Sequence, residues 1–493
     1  MPRTLNFWAN RNYCSSQKKG IHYQDCQILQ NNIMSINDSH IQKEYLYKNT
    51  QYICRCQAHE RIRSKGITSM CLSSEATMFK LFAVLLPVLF LSFAMAWAQP
   101  GNVTGLSFQI VALSRAPDEH ANNLSSFATD DMRLPILTSA RFVYGVFVSI
   151  GTGQGFKLQV LGLDTSTSMS WVMCEPCQPS LPQAGHLFSP AASPTFHGVH
   201  SNDPVCTAPY RPTANGCSFR FPFASGYLSR DTFHLRNGGL SGGAPIESVP
   251  GIMFGCAHSV AGFHNDGTLG GVLSLSHLRL SLLTQLSARA GGRFSYCLPK
   301  PTQGNPHGFL RLGADVLPPL PHSHMTALTV RSGSAPDYYL SLVGITLAEK
   351  RLRIDPRVFA AGRGGCSINP AATITAIMEP AYLVVERALV AYMKELGSDR
   401  VKKGPPGGGA LFFDRMYKSV QARLPSMAFH FKDGAELWFT PEQLFEVHGM
   451  VAWFMMVGKG YRRTVIGAPQ QVNTRFTFDV AAGRLSFASE LCG

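Results

Sequence analysis

The chain has 493 residues, 45% of them hydrophobic and 15% charged, with 45 Gly, 31 Pro and 13 Cys. That is too apolar for a disordered protein, and the length gives two or three domain-sized units as a prior. No apolar run reaches the roughly 20 residues of a spanning helix, which excludes a polytopic membrane protein; the formal charge of +14 is scattered, without the basic stripe interleaved with aromatics that nucleic-acid binding requires.

Residues 1–77 are polar and carry neither a helical nor a strand period. Met78 to Ala98 then reads MFKLFAVLLPVLFLSFAMAWA, in which Lys80 supplies a positive n-region, Leu81 to Ala96 an apolar h-region and Ala96-Trp97-Ala98 a small-x-small cleavage site. These are the parts of a secretory signal peptide. Signals ordinarily begin at the initiator methionine, so translation is expected to start at Met78, leaving 1–77 as a non-structured extension or a mis-assigned start. The alternative is a real extension followed by a short uncleaved anchor. After Ala98, 33 basic residues face 25 acidic ones, a net +8 that reads as a solvated basic surface.

Residues 99–139 form an amino-terminal segment and a candidate propeptide. Asn102-Val103-Thr104 and Asn123-Leu124-Ser125 are sequons, which makes Asn102 and Asn123 glycosylation candidates. Five cysteines precede Ala98 and eight follow it: Cys174, Cys177, Cys206, Cys217, Cys256, Cys297, Cys366 and Cys492. An even number after a secretory signal predicts four disulfides, with a connectivity that spacing does not give. Cys174-Glu175-Pro176-Cys177 raises zinc as an alternative, but no second cysteine pair or histidine pair sits at a zinc spacing. Disulfides are favoured, and no metal or cofactor is expected.

From Phe142 onward the chain reads as short strands of period two, among them Phe142 to Ile150, Lys157 to Leu163, Ser426 to Phe431 and Arg475 to Phe478, broken by Gly and Pro turns. Two helices interrupt them. His277 to Ala290 aligns Leu278, Leu282 and Leu286, and Pro380 to Leu396 has proline in its first turn and aligns Leu389, Met393 and Leu396. Flexible connections are expected at 237–244, 299–307 and 403–409. The fold class is mostly β with a few short helices.

Two segments 205 positions apart repeat one pattern: Val160-Leu-Gly-Leu-Asp164-Thr165-Ser166-Thr167 and Cys366-Ser-Ile-Asn369-Pro370-Ala371-Ala372-Thr373. Each is a strand running into a short polar loop, which taken singly is an ordinary turn. Further segments follow in a definite order: Tyr144-Gly-Val-Phe-Val-Ser-Ile-Gly-Thr152, Phe254-Gly-Cys256, Phe294-Ser-Tyr-Cys-Leu-Pro299, Tyr338-Tyr-Leu-Ser-Leu-Val-Gly-Ile345 and Val465-Ile-Gly-Ala-Pro-Gln-Gln-Val-Asn473. Together they make the chain resemble the pepsin-like aspartic peptidases, in their plant nepenthesin-like group, over roughly residues 140 to 493.

That resemblance implies a bilobal pepsin-like (acid protease) fold, with an N-terminal lobe over 140–320 and a C-terminal lobe over 321–493. It also implies that each lobe supplies one aspartate from an Asp-Thr/Ser-Gly-Thr/Ser loop. The two carboxyls share a proton, so that one acts as base on a water and the other as acid on the scissile carbonyl.

Measured against that pattern, the first loop keeps Asp164 but has Ser166 at the glycine position. The second loop has Asn369 at the aspartate position, isosteric with aspartate but unable to ionise or transfer a proton. Pro370 replaces a Thr or Ser and supplies neither hydroxyl nor amide donor, and Ala371 replaces the second glycine. In Cys217-Ser-Phe-Arg-Phe-Pro-Phe223, Phe223 stands where the family has the flap tyrosine, and the following turn is shortened to Ala224-Ser225-Gly226, so a hairpin lid is not expected. Phe412 and Phe454 stand at the places of a family cysteine pair. Thr165, Ser166 and Phe223 are the expected substrate-contacting positions.

The functional expectation is a secreted, extracellular or wall-located, monomeric pepsin-fold protein with impaired catalysis. It would act by binding a polypeptide or a protein partner such as a glycosidase, since the resemblance extends to plant xylanase-inhibitor proteins with incomplete dyads. The alternative is an aspartic endopeptidase active at acid pH. No nucleic-acid partner and no stable membrane insertion are expected.

Overall fold

The computed structural model describes residues 105–113 and 143–492, apart from 184, 237–245, 264–266, 302–306, 332, 334 and 402–409. The expected signal peptide, Asn102, Asn123 and the connections at 237–244 and 403–409 lie outside the described residues, as does all but the ends of that at 299–307. Those that are described belong to one compact unit, Gln99–Gly493.

The organising element is a sheet that runs from the first half of the chain into the second. Strand β1 (Leu106–Leu113) pairs antiparallel on one side with β2 (Val143–Ile150), Ile110 opposite Val146, and on the other with His307–Leu312, Phe108 opposite Leu310. An interior strand is covered on both faces, and Leu106, Ser107, Phe108 and Ile110 are all buried. Part of the segment 99–139 is therefore structural in this chain. His307–Leu312 next pairs with Arg293–Cys297, which pairs with Thr474–Asp479, Phe294 opposite Phe478. Across that junction the Phe294 and Phe478 rings stack at 4.4 Å, and the buried Tyr296 hydroxyl donates to Gln471 Oε1 at 2.6 Å. Burial of these aromatic rings joins the two halves of the chain through one hydrophobic core.

The same local design occurs twice. Strand β3 (Lys157–Asp164) lies antiparallel to β2 and parallel to Gly271–Ser274, with Asp164 opposite Ser274. In the second half Cys366–Ile368 lies parallel to Thr464–Ile466. Each parallel pair ends in the polar loop picked out by the internal repeat. Behind the second loop, Gly467 leaves room that a side chain would fill, because an added Cβ would lie 2.5 Å from the Ile374 carbonyl oxygen.

The helix Glu379–Glu395 begins with Pro380 in its first turn and buries Tyr382, Val385, Leu389 and Met393 at helical spacing. Leu396 lies just beyond it and is only partly buried. The helix expected over His277–Ala290 is shorter and broken. Ser281 accepts from the Thr284 amide and caps a single turn, Leu282–Gln285; a second turn, Ser287–Ala290, stops at Gly291 with φ of 56°. The capping serine sets the start, so Leu278 falls outside.

Three disulfides tie the described unit, Cys174–Cys256, Cys206–Cys217 and Cys297–Cys492. The fourth expected bond is not formed: Cys177 and Cys366 are buried free thiols. They belong to different core clusters, Cys177 to one within the first half and Cys366 to the main core, so neither meets the other. Phe412 and Phe454 stand on paired strands but enter different clusters, Phe412 stacking on Trp453 and Phe454 packing on Phe445. The place is filled by aromatic packing on both faces.

The interior position of β1 predicts that Ile110→Ala destabilises the chain by about 2–5 kcal/mol, whereas Gln109→Ala, at the exposed position of the strand, changes stability by less than about 0.5 kcal/mol. Urea denaturation of the two variants measures the difference.

Candidate functional site

Asp164 is the last residue of β3 and Asn369 follows the last residue of Cys366–Ile368, and the two loops meet. Asp164 is half-buried and Thr165 is fully buried. The Asp164 carboxylate is held from its own loop: Oδ1 accepts from the Ser166 amide at 2.6 Å and the Ser166 hydroxyl at 3.1 Å, and Oδ2 accepts from the Thr167 hydroxyl at 2.5 Å. Its backbone carbonyl accepts from the Leu275 amide at 2.8 Å, which anchors the loop to the neighbouring parallel strand.

Asn369 is 9% exposed, and its amide bridges the loops. Oδ1 accepts from the Ala371 amide at 2.9 Å and from the Thr165 amide at 3.3 Å. Two backbone donors on one side-chain atom identify it as the oxygen, which leaves Nδ2 to face the other loop. There it donates to the Ser166 hydroxyl oxygen, and the same side chain hydrogen-bonds the Asp164 carboxylate. The Thr165 hydroxyl donates to the Ile368 carbonyl at 2.9 Å. No counterpart can come from Pro370, whose ring supplies neither hydroxyl nor N–H.

These contacts alter the meaning of two substitutions. Ser166 does not obstruct the opposite loop; its hydroxyl accepts from Asn369 and donates to Asp164. Asn369 does not leave a buried polar gap, because both ends of its amide have partners. Burial raises the Asp164 carboxyl above its ordinary value of 3.8, opposed in decreasing order by hydrogen bonds from the Thr167 hydroxyl, the Ser166 amide, the Ser166 hydroxyl and Asn369. No second carboxylate contributes to that shift. The site therefore holds one base and an amide donor, not two carboxyls sharing a proton.

The structure brings together Asp164, Thr165, Ser166 and Asn369. Phe223 is elsewhere, 48% exposed at the turn of a hairpin, and its ring contact is with Phe263, which meets Trp171 edge-on at 5.2 Å. A hairpin is formed here: Gly216–Arg220 pairs antiparallel with Ala224–Arg236, the Phe221 amide closes the turn on the Ala224 carbonyl at 2.7 Å, and Ala224-Ser225-Gly226, read from the sequence as the turn, lies in the second strand. The connection is made by the three residues 221–223. Sequence reasoning does not single out Thr167, although a hydroxyl three positions after an aspartate is a recurrent local bonding pattern.

The raised carboxyl gives a pH-dependent prediction. Wild type and Asp164→Asn should differ least below the ordinary carboxylate range, where Asp164 is protonated in both folded and unfolded states. As pH rises from 3.8 through the raised folded value, wild type loses stability relative to the variant, and the gap is constant above that. Denaturation of both proteins across this window checks the sign. A double-mutant cycle on Ser166→Gly and Asn369→Ala should also give a coupling of about 0.5–3 kcal/mol across the loops.

Two family models match, described as xylanase inhibitor N-terminal over residues 144–314 and xylanase inhibitor C-terminal over residues 337–489, together more than half of the chain. Aspartic proteinase nepenthesin-1 of Nepenthes gracilis is 27% identical over 368 residues, covering 71% of this chain and 81% of its own. A second relative, the protein aspartic protease in guard cell 2 of Arabidopsis thaliana, is 26% identical over 70% of this chain and 72% of its own. Among solved structures, edgp superposes with a TM-score of 0.59 at 18% identity over 79% of this chain and 95% of that one. Conglutin gamma, a basic 7S globulin from lupine seeds, has the same TM-score and identity over 78% and 95% of the two chains. The duplicated strand-and-loop design, the sheet joining the halves and these matches agree: the chain is a bilobal, pepsin-like protein belonging to the plant nepenthesin-like and xylanase-inhibitor-like family.

Proposed function

We propose that this chain is a secreted, monomeric pepsin-fold protein with impaired catalysis, which acts by binding a polypeptide or protein partner such as a glycosidase. The observation that carries the reading is the Asn369 amide, seated against the Asp164 loop where the second carboxylate of the family would act. Aspartic peptide hydrolysis needs one group to take a proton from water while another gives one to the carbonyl. Asp164 can accept a proton, but an amide has no proton to give at any pH that a folded protein survives. Loss of a positioned acid or base is expected to cost about 10²–10⁴-fold in rate.

The binding half of the proposal draws on the xylanase-inhibitor description of both matching family models and on the retained hairpin and loop framework. Secretion draws on the leader-like stretch at 78–98, the three disulfides of the described unit and the plant relatives. Among the described residues no helix is long and apolar enough to cross a membrane.

The test is incubation of the mature protein with a denatured protein substrate at acid pH, with and without pepstatin, alongside Asp164→Ala. Wild type and variant are expected to give equal, pepstatin-insensitive background, and to inhibit a sensitive endoglycosidase to the same extent. Pepstatin-sensitive cleavage that disappears in Asp164→Ala would overturn the proposal in favour of an active endopeptidase.

A further inference from the structure

The hairpin that carries Phe223 also forms one wall of a concave site, lined by none of the residues around Asp164. Its volume is about 500 Å³, within the range of small-ligand sites. Alternation along paired strands explains its chemistry. Ser218 is opposite Tyr227, Arg220 opposite Ser225, and Arg211 opposite Ser218, so these side chains share one face. The other face carries Phe219, which packs into the core with Met169, Leu228 and Ala257.

Two features separate this groove from an ordinary solvated edge. Arg211 and Arg220 are both exposed, and neither forms an ion pair with a carboxylate among the described residues. Among the described residues no Asp or Glu lines the groove, so two permanent cations converge there without a described counter-charge. The floor between them is ordered: the half-buried Tyr227 ring lies 5.9 Å from the His258 ring. His258 Nδ1 is 2.8 Å from the Pro176 carbonyl, an acceptor only, so Nδ1 carries the hydrogen and Nε2 is left for another partner. Ser218 turns its hydroxyl back to the Arg211 carbonyl at 3.0 Å, whereas Ser225 and Ser259 line the groove with hydroxyls.

We propose that this groove binds an acidic oligosaccharide of the polyuronate class. A guanidinium receives a carboxylate through two parallel N–H donors, which selects a planar anion over a neutral group. Uronate carboxylates recur along a chain, matching two separated cations. Tyr227 offers an apolar ring face with a polar tip, suited to the C–H face of a pyranose, and the serine and histidine groups can exchange hydrogen bonds with its hydroxyls.

Calorimetric titration of the folded chain with a short oligogalacturonate tests this, with a neutral xylo-oligosaccharide and inorganic phosphate as parallel probes. The oligogalacturonate is expected to bind, to weaken as salt is raised, and to bind about tenfold or more weakly to R211A/R220A. Both arginines are exposed and outside the core, so the melting curve of that variant should match wild type; Tyr227→Leu gives an independent loss on the same groove. Absence of uronate binding, equal binding of the neutral sugar or of phosphate, or unchanged affinity in R211A/R220A would each overturn the assignment.

Discussion

The hydrogen bonds that the Asn369 side chain makes across the two strand-end loops are the constraint on which the centre of this molecule depends. A carboxylate at that position would meet the Asp164 carboxylate and could be held there only by sharing a proton. The amide removes the repulsion and supplies donors. Its Nδ2 is directed at the Ser166 hydroxyl and the Asp164 carboxylate, while its oxygen takes the Thr165 and Ala371 amides. Ser166 and Asn369 are therefore best understood together: the hydroxyl that replaces a glycine is the acceptor for the amide that replaces an acid.

The surrounding fold makes that bridge rigid. Each loop issues from a strand paired in parallel with a later strand, and each is tied to its neighbour by a backbone bond, Leu275 to Asp164 and Asn369 to Ile466. The aromatic junction of Phe294, Tyr296 and Phe478 joins the halves that carry the loops. The architecture stands with an amide at position 369, because the sheet, the disulfides and the loop contacts do not require a second carboxylate. The uronate groove lies on another face of the hairpin and depends on charge that the core does not use.

Much of this was legible in the sequence where a local pattern and a long-range one coincide. Alternating apolar residues place β2 and β3 within a residue or two, and Pro380 marks the first turn of the long helix. The repeat ending at Asp164 and Asn369 locates both loops. What local pattern does not carry is partnership. Cys177 and Cys366 look like the other cysteines in sequence but are buried in separate clusters. The break near Ser281 follows from a cap that competes with the leucine spacing of a longer helix. The use of the Ser166 hydroxyl shows only once the opposite loop is in place, and Ala224-Ser225-Gly226 reads as a turn until the register puts it in a strand.

The most direct test of the account is a titration of the Asp164 side-chain carboxyl carbon by NMR in the folded protein. One proton should come off in a single step, above the ordinary carboxylate value of 3.8, with no second group titrating in concert. Two coupled steps, the behaviour of a pair that shares a proton, would contradict it.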